Sequence, residues 1–138
     1  MTQPVFASIR DGPSGVSPFQ AGPRVISGSS NQALGAAICE RLAAVPQDWL
    51  MERFPDGELR PTVPSVRGQD VFVLVSTGPP VHDNLIELLL LLDGCKRAGA
   101  ERIRAVIPYL GYARQDRRNA NGQPVVARSS AGVSAMRA

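Results

Sequence analysis

The chain has 138 residues, 43% of them hydrophobic and 20% charged, which is the balance of a globular domain and too little for two domains of ordinary size. Fifteen basic residues against twelve acids leave a net charge of +3, with two cysteines, one histidine, 13 glycines and 12 prolines. These numbers exclude a collagen-like chain, a disulfide scaffold and a Cys/His zinc site, and a leucine run no longer than Leu88–Leu92 excludes a membrane span.

Residues 1–22 hold Pro4, Gly12, Pro13, Gly15, Pro18 and Gly22 with little periodicity and read as a loose leader, without the charged start and apolar stretch of a signal peptide. Val25 and Ile26 begin a short buried strand. The turn Ser27-Gly28-Ser29-Ser30 follows and offers two helix N-caps. Leu34, Ala37, Ile38 and Leu42 recur at helical spacing, so an amphipathic helix is expected over 31–44, ended by Pro46. Trp49 to Phe54 reads as a second strand closed by Pro55-Asp56-Gly57, and 59–68, with two prolines and a glycine, as an irregular or hairpin excursion. Val71 to Val75, VFVLV, has the continuous apolar character of a strand covered on both faces, broken at Ser76–Pro80. Asp83 or Asn84 can cap the next helix, and Asn84 with Glu87 fits a capping box; the helix runs to about Arg97, ends at Gly99 and is apolar nearly all round, hence buried on more than one side, in its own core or against another subunit. Ile103 to Ile107 is a further apolar strand stopped by Pro108. Cys39 and Cys95 fall in the two helical patterns as reduced, buried thiols.

Strands alternating with helices through short loops imply an α/β fold with a largely parallel sheet, and such folds bind ligands at the carboxyl ends of their strands. Three loops occupy that place: Ser27–Ser30, Ser76–Asn84 and Tyr109–Arg118. The loop Phe54–Glu58 also follows a strand. Charge is unevenly spread along the chain. Residues 1–60 and 61–100 each sum to −1, whereas 101–138 carry seven arginines and two acids, a net +5. Every base but Lys96 is arginine. Codon bias accounts for such a preference, and so does forked recognition of phosphate, which arginine performs better than lysine.

The segment Tyr109-Leu-Gly-Tyr-Ala-Arg-Gln-Asp-Arg-Arg118 sets Arg114, Arg117 and Arg118 after two aromatics and a glycine. Its guanidinium groups suit phosphoryl oxygens, Gln115 a base or ribose edge, and the aromatics a purine face; the plain alternative is a solvated basic loop. The modest net charge and the lack of a nucleic-acid motif speak against nucleic acid as the polyanion. Phe54-Pro-Asp-Gly-Glu58 holds two carboxylates on a tight turn, able to accept from an amino group or a ribose hydroxyl, or merely to close an Asp-Gly turn. His82 beside Asp83 reads as a local hydrogen-bonding histidine or as a general base. The Ser27–Ser30 turn lacks the lysine of a nucleoside-triphosphate P-loop.

Four ordered blocks resemble the amino-terminal half of ribose-phosphate diphosphokinase, also called phosphoribosyl pyrophosphate synthetase. They are FPDGE at Phe54–Glu58, VRGQDVFVLVST at Val66–Thr77, DNLIELLLLLDGCKRAGAERI at Asp83–Ile103 and AVIPYLGYARQDRR at Ala105–Arg118, within a resemblance running from about Val25 to Arg128. The resemblance implies a three-layer phosphoribosyltransferase-like α/β domain over 23–128, incomplete at its carboxyl end, between the leader and a divergent tail at 129–138. It implies an enzyme that transfers the diphosphoryl group of ATP to ribose 5-phosphate with Mg²⁺, in the cytoplasm, as an oligomer of like subunits. ATP-binding residues carry over as Arg114 and Gln115, with Phe54, Asp56, Gly57 and Glu58 forming the loop that meets adenine from a neighbouring subunit. The family's metal-binding histidine, catalytic loop and ribose-phosphate signature lie beyond Ala138, so no catalytic or metal-binding residue is expected in this chain. Ribose 5-phosphate is expected as a ligand only when the carboxyl half is supplied. The sequence after Arg128 departs from the family pattern, as in a truncated or frame-shifted product or a decayed paralogue. The alternative function is a non-catalytic regulatory homologue that associates with full-length subunits, with neither nucleic acid nor membrane as a partner.

Overall fold

A computed structural model describes residues 22–117, 121, 124 and 125. The leader up to residue 21, Arg118 and the tail at 129–138 lie outside the described residues. The order is β1 (Arg24–Ser27), a single 3-10 turn (Ser29–Asn31), α1 (Gln32–Leu42), β2 (Val45–Pro46), β3 (Leu50–Arg53), β4 (Leu59–Thr62), β5 (Asp70–Leu74), α2 (Val81–Arg97) and β6 (Arg102–Val106). Four strands form a sheet in the order β2-β1-β5-β6, with every neighbouring pair parallel.

The central strand β5 shows why the sheet is enclosed. Successive side chains of a strand point to opposite faces. Val71, Val73 and Val75 join Ile26, Val66, Leu88, Leu91, Leu92 and Cys95 in one core on the α2 side. Phe72 points the other way and packs with Val25, Cys39 and Ala44 beneath α1. The result is helix, sheet, helix: three layers with an apolar cluster in each interface. Each fully buried Leu or Val contributes roughly 1.5–3 kcal/mol relative to exposure, so the larger α2-side cluster dominates the stability.

Three expectations change in the structure. Leu34 and Leu42 are not the buried stripe of α1; they are exposed, and Gly35 and Cys39 face the sheet instead. A Cβ at Gly35 would lie 1.7 Å from Ser27 Oγ, so the helix approaches β1 through its small residues. Nor does Pro46 end that helix. Ala43 closes it in the left-handed region (φ 47°), donating its N–H to the Cys39 carbonyl, and Pro46 belongs to β2. The segment expected as a second strand, Trp49 to Phe54, is not in the parallel sheet. Its core, β3, pairs antiparallel with β4 from Leu50↔Thr62 to Arg53↔Leu59, because Pro55-Asp56-Gly57 turns the chain straight back. The sheet position beside β1 goes to Val45–Pro46. The strand expected at Ile103–Ile107 is β6; it borders only β5 among the described strands, and four of its five residues are exposed.

Candidate functional site

In the sheet, β1 leads through α1 to β2 on one side and β5 leads through α2 to β6 on the other. The direction of winding reverses between β1 and β5, where open α/β sheets form a ligand crevice. Here the protein's own side chains fill that crevice. Glu87, buried on α2, accepts hydrogen bonds from Ser29 N and Ser29 Oγ, both at 2.6 Å. A carboxylate from within the chain thus occupies the turn that reads as a weak phosphate cradle. The capping box expected of Asn84 and Glu87 does not form. Asn84 Nδ2 donates to the Gly78 carbonyl at 2.9 Å, and the helix begins after Pro80 with no side-chain cap. The N-caps expected in the Ser27–Ser30 turn are also absent: Asn31 precedes α1, and its Oδ1 accepts from Ser76 N at 2.6 Å.

The arginine-bearing loop begins where β6 ends. Thr77, 1% exposed, fastens it to the end of β5. Thr77 N donates to the Tyr109 carbonyl at 2.9 Å, Thr77 Oγ1 donates to the same oxygen at 3.1 Å, and Gly111 N donates to Thr77 Oγ1 at 2.7 Å. A Cβ at Gly111 would lie 2.4 Å from the Thr77 carbonyl oxygen, so only glycine passes there. Tyr112 follows at φ 64°, and Gln115 N donates to the Tyr112 carbonyl at 2.9 Å, closing a compact turn. The Tyr112 hydroxyl is hydrogen-bonded to His82 Nε2, and the two rings stack at 5.9 Å.

These residues enclose a cleft of about 640 Å³ lined by Pro80, His82, Asp83, Tyr109, Tyr112, Arg114 and Gln115. Arg114, Gln115 and Arg117 are exposed. The cleft therefore combines an aromatic wall, a cationic fork and an amide. His82 is held by an aromatic partner and sits in the second position of α2.

The Phe54–Glu58 turn is elsewhere. Phe54 N donates to the Glu58 carbonyl and Gly57 N to the Phe54 carbonyl, both at 2.9 Å, while Asp56 Oδ1 accepts from Glu58 N at 3.1 Å. Asp56, Gly57 and Glu58 are exposed at the hairpin tip, and Arg60 lies 5.1 Å from the Phe54 ring centre. Arg53, the last residue of β3 before the turn, pairs with Asp83 at 3.2 Å, beside His82. None of Phe54, Asp56, Gly57 and Glu58 lines the cleft that holds Arg114 and Gln115, so the two predicted groups do not share one pocket within a single chain. A second cleft, about 560 Å³, lies between α1 and the hairpin, with Trp49, Gln32, Gln47 and Asp48 in its wall and none of the predicted residues.

Thr77, Glu87, Asn31 and Arg53 escape a reading of the sequence by segments. Their partners lie 30 to 58 residues away, a range over which no periodicity or capping pattern carries information. Burial disfavours the thiolate at both cysteines, raising the pKa of Cys39 and pushing that of Cys95 up to about 11. Among the described residues no three His, Cys, Asp or Glu side chains come together to hold a metal ion. His82 and Asp83, beside the cleft, are taken by Tyr112 and Arg53, so this set of donors does not fit Mg²⁺.

The molecule so far defined is an open parallel α/β domain with a cationic loop at the carboxyl end of its edge strand. The family model for the N-terminal domain of ribose phosphate pyrophosphokinase matches residues 23–134. Ribose-phosphate pyrophosphokinase of Rhodopirellula baltica is 49% identical over 106 residues, which cover 76% of this chain and 34% of that protein. The enzyme of Caulobacter vibrioides is 47% identical over 106 residues with the same coverage. Phosphoribosylpyrophosphate synthetase from Mycobacterium smegmatis superposes with a TM-score of 0.80 at 31% identity, over 84% of this chain and 39% of that one. The chain belongs to the ribose-phosphate pyrophosphokinase family, as its amino-terminal domain, and spans about a third of the length of the curated relatives it matches.

Proposed function

We propose that this domain, over residues 23–128 between a leader and a divergent tail, supplies the nucleotide-binding part of a ribose-phosphate diphosphokinase. The whole enzyme transfers diphosphate from ATP to ribose 5-phosphate in the cytoplasm, giving phosphoribosyl diphosphate and AMP for nucleotide biosynthesis. The observation that carries this reading is the cleft of Tyr109, Tyr112, Arg114 and Gln115 at the carboxyl end of β6. Phosphoryl transfer develops charge on phosphoryl oxygens, so a protein assists it mainly by position and by neutralising that charge. Arg114 offers the forked donor for the polyphosphate and Gln115 an amide for the nucleoside. Phe54, Asp56, Gly57 and Glu58 serve adenine from a neighbouring subunit, which fits their place on an exposed hairpin tip outside the Arg114 cleft. Mg²⁺ is the family's companion of the nucleotide, and no residue of this chain is assigned to hold it. Ribose 5-phosphate binds where the carboxyl half contributes.

Titration calorimetry with Mg-ATP tests the assignment: Arg114→Ala is expected to weaken binding by about 1 kcal/mol or more, the range for a charge-assisted hydrogen bond. Equal binding by wild type and variant would remove Arg114 from the site. The 138-residue polypeptide by itself is expected to make no phosphoribosyl diphosphate, and AMP release that depends on both Mg²⁺ and ribose 5-phosphate would overturn that. A second reading, a non-catalytic homologue assembled with full-length subunits, is favoured by the edge that β6 presents among the described strands and by Ile86 and Val106, exposed by 48% and 39%.

A further inference from the structure

The geometry points to Thr77 as a positioning residue for nucleotide binding: its hydroxyl sets the loop that presents Arg114 and Gln115, without touching the ligand. The inference rests on the reading of that loop as the polyphosphate site. Thr77 is 1% exposed, so a nucleotide in the cleft does not reach it. A hydroxyl has one proton to give and lone pairs to receive, and Thr77 uses both functions on one loop. It donates to the Tyr109 carbonyl at 3.1 Å and accepts from Gly111 N at 2.7 Å.

Its own backbone is held from the opposite side, which makes the anchor stiff. Ser76 N donates to Asn31 Oδ1 at 2.6 Å and Ser30 Oγ to the Ser76 carbonyl at 3.0 Å. Thr77 therefore stands between the β1–α1 turn and the loop after β6, and couples them through two adjacent peptide units. Downstream, Gly111 leads into the turn closed by Gln115 N and the Tyr112 carbonyl, so the direction in which Arg114 leaves the loop follows from how Gly111 is held. A forked donor is useful only in the correct orientation.

Thr77→Val keeps the shape and the Thr77 N bond to Tyr109 but deletes both hydroxyl bonds, while Thr77→Ser keeps the hydroxyl and drops a methyl. Two quantities are read on the 138-residue chain: the exchange rate of the Gly111 amide without ligand, and the dissociation constant for Mg-ATP, each compared with wild type and Arg114→Ala. The expected result is Gly111 exchange and an ATP dissociation constant each raised at least tenfold in Thr77→Val and returned to within about threefold of wild type in Thr77→Ser. Unchanged ATP affinity in Thr77→Val, where Arg114→Ala weakens it, overturns the role of Thr77 and leaves the nucleotide site standing. Loss of affinity in the serine variant as large as in the valine variant also overturns it, because the hydroxyl is then not what matters. Absence of ATP binding by wild type, or equal binding by Arg114→Ala, removes the nucleotide site and the role of Thr77 with it.

Discussion

Gly111 and Cys95 show what single residues do in this domain. A side chain at Gly111 has to displace the Thr77 carbonyl, 2.4 Å from its Cβ, and that carbonyl belongs to the backbone that carries the loop. Gly111→Ala is therefore expected to weaken Mg-ATP binding more than Ala113→Gly, a change at an exposed position of the same turn; calorimetry of the two variants provides the comparison. Cys95 has a pKa of about 11 against an ordinary 9.0 because burial disfavours its thiolate. The folded state therefore holds this proton more tightly than the unfolded chain. The stability it contributes is fully present below pH 9 and is lost as pH rises from about 9 through about 11. Urea titrations at pH 8 and pH 11 should show the loss, and Cys95→Ala should show less of it. Glu87 marks how far local sequence reasoning reaches. Its distance from Asn84 fits a capping box, yet its carboxylate serves Ser29, 58 residues earlier in the chain. A buried acceptor goes to the donors that surround it in space, and sequence spacing does not list those.

The two helices follow different rules of burial. α2 buries Leu88, Leu91 and Leu92 completely along one face, while Ile86 is 48% exposed. Leu91→Ala is expected to cost about 2–5 kcal/mol, the usual range for emptying a core leucine site. α1 reads as amphipathic through Leu34, Ala37, Ile38 and Leu42 but does not bury that stripe: Leu42 is 68% exposed. Leu42→Lys should then change stability by no more than about 0.5 kcal/mol, and thermal or urea unfolding of the pair separates the two helices' roles. Periodicity located α1 to within two residues at each end but misassigned its inner face. Burial of α1 depends on how closely it approaches β1, and Gly35 against Ser27 sets that distance. The strand pattern behaved in a parallel way. VFVLV marked the doubly covered β5, whereas the apolar run at Ile103–Ile107 forms β6, which has one neighbour among the described strands, because coverage belongs to neighbours and not to the strand.

At the scale of the whole molecule, charge and topology act together. Of the arginines in the carboxyl-terminal third, Arg114 and Arg117 are described beyond β6, and both are exposed. Attraction between exposed charges is screened as the Debye length falls from about 10 Å at 0.1 M salt to 3 Å at 1 M. Mg-ATP affinity should therefore drop severalfold across that range, while a cleft that bound chiefly through its aromatic wall would hold its affinity. No described helix is long and apolar enough to cross a membrane.

The sequence alone was sufficient for the three-layer parallel architecture, for the order of its principal elements and for the family, because hydrophobic runs, turn residues and the four quoted blocks are local properties. The blocks also singled out Arg114, Gln115 and the Phe54–Glu58 turn as residues of interest. The tertiary structure alone decided that the β3–β4 hairpin leaves the main sheet, that Glu87 fills the crevice between β1 and β5, and that Thr77 ties the Arg114 loop to β5. Those outcomes turn on which donors and acceptors meet when distant segments pack, and a buried polar group must find its partner across whatever span of chain the fold brings together.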